Sequence, residues 1–202
     1  MAIDAPPLEE IADPDIRAAI EQDASDGLGD TLWLRVLARS PGDGGAFYRF
    51  FRQAGWEGGV DHPLKEIIRI RLAQLAGDAY FSNLRSQAAR AAGLSEERIA
   101  AGCGDLGDDA PFDAAERIAI RYADLMFRDK AQLDADFYGA LKQHYSEPQI
   151  MEMGSWAALS WGLAGWFCTM GLYPEHDREG NAIGQTESAE LYGAVASVEP
   201  PA

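Results

Sequence analysis

Residues 61–95 read Asp-His-Pro-Leu-Lys-Glu-Ile-Ile-Arg-Ile-Arg-Leu-Ala-Gln-Leu-Ala-Gly-Asp-Ala-Tyr-Phe-Ser-Asn-Leu-Arg-Ser-Gln-Ala-Ala-Arg-Ala-Ala-Gly-Leu-Ser. Leu64, Ile67, Ile68, Arg71, Leu72 and Leu75 recur at intervals of three and four, the period of an amphipathic helix. Asp61 is placed to cap that helix, Pro63 suits its first turn, and Gly77 suits its end. Asp78 then reads as the cap of a second helix carrying Phe81, Leu84, Ala88 and Ala91 on one face and stopping at Gly93. With Gly77 and Asp78 alone between them, the segments 61–77 and 78–92 are expected to form an antiparallel helical hairpin.

The same punctuation runs outward in both directions. The first dozen residues, with Pro6, Pro7 and several acids, read as a loose arm, and a helix follows from Pro14 to about Ala24. Asp30 heads a helix through Trp33 and Leu37, stopped by Ser40-Pro41-Gly42, and another spans about Gly45 to Gln53. Downstream, Ser95 opens a short helix, and a Gly- and Asp-rich loop runs from Gly102 to Pro111. Asp113 with Glu116 and Ser146 with Gln149 are capping-box pairs opening two further helices, and Asp134 caps one between them. No β-branched alternation suggests a strand. The expectation is an all-α bundle of roughly seven to nine helices. Its parts are an arm and first helix (1–29), one helical domain (30–173) and an extension (174–202). The extension shows no sustained period and is expected to wrap a partner or stay mobile.

Composition narrows the function classes. The 202 residues include 33 Asp plus Glu against 17 Lys plus Arg, a formal charge of −16. Such a chain cannot neutralise a row of phosphates, so nucleic acid is excluded as a partner, and an anionic membrane surface with it. A local Arg in a pocket can still take a small anion. The uncharged stretch Met153–Tyr173 has no basic flanks and reads as a helix buried on all sides rather than a membrane span. The start of the chain shows no secretory signal, and two unclustered cysteines fit a reducing cytoplasm. Cys168 reads as inert core, and Cys103 as part of an exposed loop. His62, His144 and His176 share no ligand spacing, so neither a metal nor another cofactor is expected. Gly102-Cys-Gly-Asp-Leu-Gly follows no strand and is not a nucleotide loop.

The stretch from Glu66 to Ser95 resembles the carboxymuconolactone decarboxylase and alkylhydroperoxidase-D (AhpD-like) superfamily. There, a Glu on one helix precedes a Cys-x-x-Cys-x-x-x-His motif at the start of the next, and a Gly-Leu-Ser-like turn follows. Phe112-Asp-Ala-Ala-Glu-Arg-Ile and Tyr145-Ser-Glu-Pro-Gln-Ile extend the likeness, which covers roughly residues 30–172. It implies an AhpD-like helical bundle that associates with copies of itself. By spacing, Glu66 fits the family's proton-relay Glu, while Asp78, Phe81 and Arg85 stand where the two Cys and the His would be. Tyr80 holds a position often Tyr or His. A cysteine at a helix start is activated because free N–H groups stabilise its thiolate. Asp78 can accept those N–H groups but cannot form a disulfide, so thiol peroxidase activity is expected to be absent.

Glu66, Tyr80 and Arg85 remain as catalytic candidates, with Asn83 and Asp78 beside Arg85 as candidate substrate contacts. Arg85 suits a carboxylate, and Glu66 or Tyr80 could move a proton. The implied chemistry is cofactor-independent decarboxylation or isomerisation of a small carboxylated, ring-cleavage-type acid. Two arrangements are open at this point. These side chains either project into one pocket, or Glu66 and Arg85 form a buried structural ion pair. The second would suit a non-catalytic, oligomeric binding or assembly protein.

Overall fold

A computed structural model describes residues 3–40, 42–107 and 109–193. Pro41, part of the stop signal after the second helix, Asp108 in the 102–111 loop, and the final residues of the extension lie outside the described set. The described residues form ten α-helices: α1 (Pro14–Asp26), α2 (Leu32–Leu37), α3 (Asp43–Trp56), α4 (His62–Leu75), α5 (Gln87–Ala91), α6 (Glu96–Cys103), α7 (Ala114–Arg128), α8 (Ala135–Leu141), α9 (Glu147–Cys168) and α10 (Gln185–Tyr192). Strands are absent among them, apart from an isolated bridge between His176 and Ala182. The count exceeds the expected range because the extension contributes a helix of its own. Both capping boxes form, Asp113 with Glu116 at α7 and Ser146 with Gln149 at α9.

Helix α4 is the axis of the bundle. Every residue from Leu64 to Ala73 is buried, four of them charged. An apolar stripe alone would leave those charges on a wet face, but α3, α6, α7 and α9 all pack on α4. Each charge is therefore paired. Lys65 Nζ donates to the carbonyls of Ala54 and Glu57 at 2.9 and 2.6 Å and pairs with Glu152. Arg71 grips Asp124 through two bonds of 2.7 and 2.6 Å and caps the carbonyls of Gly102 and Gly104. These bonds hold α4 to the α3–α4 connection, to α7 and to the end of α6. Apolar packing fills the rest: Trp33, Phe51 and Trp156 meet edge-on or tilted, and Trp156 Nε1 donates to the Lys65 carbonyl at 2.7 Å. Gly55 makes room for Trp156, whose ring would lie 2.8 Å from an added Cβ.

Three sequence expectations are corrected by this packing. The helix expected over 78–92 does not form. Residues 79–83 are turn, and only Gln87–Ala91 is helical, capped by the Ser86 hydroxyl. The physical reason is Arg69: its guanidinium takes the carbonyls of Phe81 and Leu84 at 2.7 and 2.9 Å, which a continuous helix would use internally. Second, α9 is not buried all round. Ile150, Met153, Trp156, Ala157, Ser160, Leu163, Ala164 and Phe167 face the core, whereas Met151, Ser155, Ala158, Gly162, Gly165 and Trp166 form an exposed stripe. Cys168, at the end of α9, is exposed rather than core. No helix among the described residues is long and apolar enough to cross a membrane. Third, neither terminal segment hangs free over its described length. Arg35 and Arg39 hold the carbonyls of Pro6 and Asp4. Residues 174–193 fold back on the bundle, with Glu175 bonded to Arg35 at 2.9 Å and Ser188 fully buried.

Candidate functional site

The residues of the 66–85 motif divide between a dry knot and an open cleft. In the knot, Glu66 is fully buried and accepts Arg69 Nε and Nη2, each at 2.7 Å, and the Ser86 N–H at 2.8 Å. Burial pushes its carboxyl up, but the Arg69 charge and these three donors outweigh that and hold it below the usual carboxylate range. The partner of Glu66 is therefore Arg69, one turn along α4, and not Arg85. Behind it, His62 Nδ1 lies 2.9 Å from the Gly55 carbonyl and Nε2 lies 2.7 Å from Ser86 Oγ. A carbonyl can only accept, so Nδ1 carries the hydrogen and Nε2 accepts from Ser86. Burial lowers the His62 pKa, which favours this neutral ring.

Asp78 caps its own turn, Oδ1 accepting the Tyr80 N–H and Oδ2 the Phe81 N–H, both at 3.1 Å. It is 1% exposed, and burial raises its carboxyl to about 6 against the pull of those N–H groups. Tyr80 is fully buried; its hydroxyl donates to Asp30 Oδ1 at 2.7 Å and accepts the Trp33 N–H at 3.1 Å. Burial, then the Asp30 charge, raise the phenol well above its ordinary range, so it stays a donor.

Arg85 and Asn83 face elsewhere. They line an open cleft of about 740 Å³ whose floor includes Gly29 and Asp30, and whose far wall is the folded-back extension, with His176, Arg178 and Tyr192. Arg85 Nε bonds both oxygens of Glu96 at 3.1 and 3.0 Å, and Nη1 holds the carbonyls of Ser82 and Leu84. Arg90 shares Glu96 at 3.0 Å. Asn83 Nδ2 donates to the Ala79 carbonyl at 2.7 Å. Glu66 and Tyr80 do not reach this cleft, so the fold builds neither of the two open arrangements: not one pocket for Glu66, Tyr80 and Arg85, and not a Glu66–Arg85 pair. Tyr80 touches the cleft only through Asp30.

The sequence reading missed Asp30, His176 and Arg178, because Asp30 meets the tail across 145 positions, at Glu175, and the tail that carries the other two has no period. The local signal for the tail is its turn: Asp177 accepts the N–H groups of Glu179 and Asn181 at 3.0 and 2.7 Å, and Gly180 turns with φ 88°. Among the described residues no three His, Cys, Asp or Glu side chains are grouped to hold a metal ion. The thiols are poorly disposed to ionise: burial raises Cys103 to about 11, and burial with the Asp78 charge raises Cys168.

Comparison with known proteins agrees with this architecture. Residues 44–125 match the sequence model of the carboxymuconolactone decarboxylase family. Within that match, Asp78, Phe81 and Arg85 stand where the spacing puts the family's two Cys and its His. Among solved structures it resembles an alkylhydroperoxidase AhpD core, an uncharacterized peroxidase-related protein from Ralstonia eutropha JMP134. The TM-score is 0.68 at 18% identity, over 88% of this chain and 93% of that one. It also resembles the debrominase Bmp8, as a Cys-to-Ala variant in complex with 2,3,4-tribromopyrrole, with TM-score 0.65 at 19% identity over 88% and 90% of the two chains. The apo debrominase gives 0.62 at 20% identity over 91% and 89%. At these identities the likeness establishes the fold. No curated protein matches the chain.

Proposed function

We propose that this protein binds a small carboxylated acid in the cleft beside Arg85 and carries out cofactor-independent lyase or isomerase chemistry on it, without thiol peroxidase activity. The observation that carries the reading is the placement of Arg85 and Asn83 at a cleft large enough for a ring-cleavage-type acid. Arg85 is held by Glu96 and two carbonyls, so its fork is oriented before a ligand arrives. In this reading Arg85 and Asn83 contact the carboxylate, Tyr80 acts from behind through Asp30, and Asp78 shapes the turn that presents Asn83. Glu66 supports the site by holding Arg69, which shapes the 79–86 turn. The protein works in the cytoplasm as a homo-oligomer associating through the exposed stripe of α9.

Titration calorimetry with a panel of muconate-like dicarboxylates tests the reading. Arg85→Ala is expected to weaken binding about 10- to 100-fold, the loss of a charge-assisted contact of roughly 1.5–3 kcal/mol. Failure of the parent protein to bind any such acid at millimolar concentration removes the reading. A second reading, a non-catalytic binding or assembly protein, is favoured by the dry Glu66–Arg69 knot. It predicts binding of acids, or self-association, with no turnover of any of them.

A further inference from the structure

The cleft contains a histidine backed by a buried carboxylate, and the family motif accounts for neither. Asp30 is 3% exposed. Its Oδ1 accepts the Tyr80 hydroxyl at 2.7 Å and the Leu32 N–H at 3.0 Å, and its Oδ2 accepts the Glu175 N–H. These donors come from α2, from the turn after α4 and from the extension, so three separate segments fix the carboxylate. Oδ2 stands 3.6 Å from His176 Nδ1, with the His176 side chain 46% exposed toward the cleft. The distance exceeds a hydrogen bond, and contacts of this kind commonly tighten when a ligand is bound.

The backbone of His176 is itself pinned. Its carbonyl accepts the Tyr192 hydroxyl at 3.0 Å, and it bridges to Ala182 across the Asp177–Gly180 turn. With Nδ1 turned to Asp30, Nε2 is the nitrogen left for a ligand. The cleft is also lined by Asn83, Arg85 and Arg90, and by Arg178 on the same wall as His176. Glu96 pairs with Arg85 and Arg90, whereas Arg178 makes no ion pair among the described residues.

We propose that His176 is the general base and acid of this cleft, positioned by Asp30, and that its substrate is a small β,γ-unsaturated carboxylic acid held through its carboxylate by the cleft arginines. The proposal rests on the carboxylate reading above and deepens it. His176 Nε2 takes a proton from the carbon between the carboxyl group and the double bond. The C–H electron pair moves into the adjoining π system as a dienolate, beside the guanidinium groups. The imidazolium, its charge balanced by Asp30, returns the proton to the γ-carbon, and the double bond shifts by one place. Every atom and electron is conserved, and no co-reactant is needed. Tyr80, which keeps its proton, holds Asp30 in place rather than relaying.

The test uses the full chain and trans-3-hexenedioate as the probe. Exchange of its α-protons in D2O is followed by proton NMR, and its binding by calorimetry. The parent is expected to catalyse exchange. His176→Gln is expected to lose about 100-fold of the exchange rate, the scale of a missing general base, while its Kd stays within about threefold. Nitrogen-15 spectra of the parent are expected to show His176 mainly as the Nδ1–H tautomer, and Asp30→Asn to mix the tautomers, which loss of a merely structural contact would not do. A parent that binds the probe without exchange, or His176→Gln exchanging at the parent rate, overturns this assignment and leaves the carboxylate reading standing. A parent that binds no such acid overturns both.

Discussion

Replacing Glu66 by Gln removes the negative charge from a pair sealed inside the bundle. Glu66 is fully buried and the Arg69 side chain is 2% exposed. The carboxylate accepts three donors, two from Arg69 and one from Ser86. A Gln side chain keeps one carbonyl oxygen but presents an NH2 group to a guanidinium that also only donates. One Arg69 donor therefore loses its acceptor, and the Arg69 charge stays buried with only neutral acceptors around it, the Gln oxygen and the Phe81 and Leu84 carbonyls. Breaking a buried pair from one side costs about 3–5 kcal/mol. For a chain of this size that corresponds to a fall in Tm of roughly 6–20 °C, at about 2–4 °C per kcal/mol. Removing both charges with Glu66→Leu and Arg69→Met leaves no uncompensated charge but strands the Phe81 and Leu84 carbonyls and the Ser86 N–H, so the double variant should also be destabilised, by about 1–3 kcal/mol per stranded group. Urea denaturation at pH 7 of the parent, the single and the double variants measures all three. A Glu66→Gln protein as stable as the parent to within about 1 kcal/mol, yet unable to process a substrate, would refute the structural account and restore Glu66 as a proton carrier.

Three further outcomes follow from the packing. Asp23 is fully buried with neither carboxyl oxygen bonded among the described residues, and burial raises it to about 7 from 3.8. Its folded pKa lies above the unfolded one, so its contribution is fully present below about pH 4 and is lost as pH rises through 7. Asp23→Asn should therefore gain on the parent by up to about 4 kcal/mol between pH 4 and 8, and a pH-independent difference in denaturant midpoints would contradict this. Alkyl hydroperoxide with a thiol reductant should not be turned over, because Asp78 and Phe81 occupy the dithiol positions and both free thiols are pushed up; turnover surviving Cys103→Ser and Cys168→Ser would show the motif is misread. Light scattering at micromolar concentration should find an oligomer, and Gly162→Arg on the exposed stripe of α9 should dissociate it; a monomeric parent removes that expectation.

Local chemistry in the sequence determined most of the helices. Asp113 with Glu116 and Ser146 with Gln149 each satisfy free N–H groups within a few residues, so α7 and α9 begin where the sequence places them. The three-and-four spacing from Leu64 to Leu75 is likewise local, and α4 spans it. The resemblance to the family motif was legible in spacing alone, with Asp78 and Phe81 where the cysteines would stand. The tertiary structure decided what these elements meet. Residues 78–86 have ordinary helical propensity, yet Arg69, from the previous helix, captures the Phe81 and Leu84 carbonyls and leaves a turn. That turn sends Arg85 outward to Glu96 and leaves Glu66 to Arg69, so the Glu66–Arg85 pair, one of two arrangements the sequence left open, gives way to a pair within one turn of α4. The cleft itself unites residues 29–30, 83–96 and 174–192. No local pattern announces such a meeting, because a side chain's partner across the bundle is set by the summed packing of α1 through α10 and not by the residues beside it in the chain.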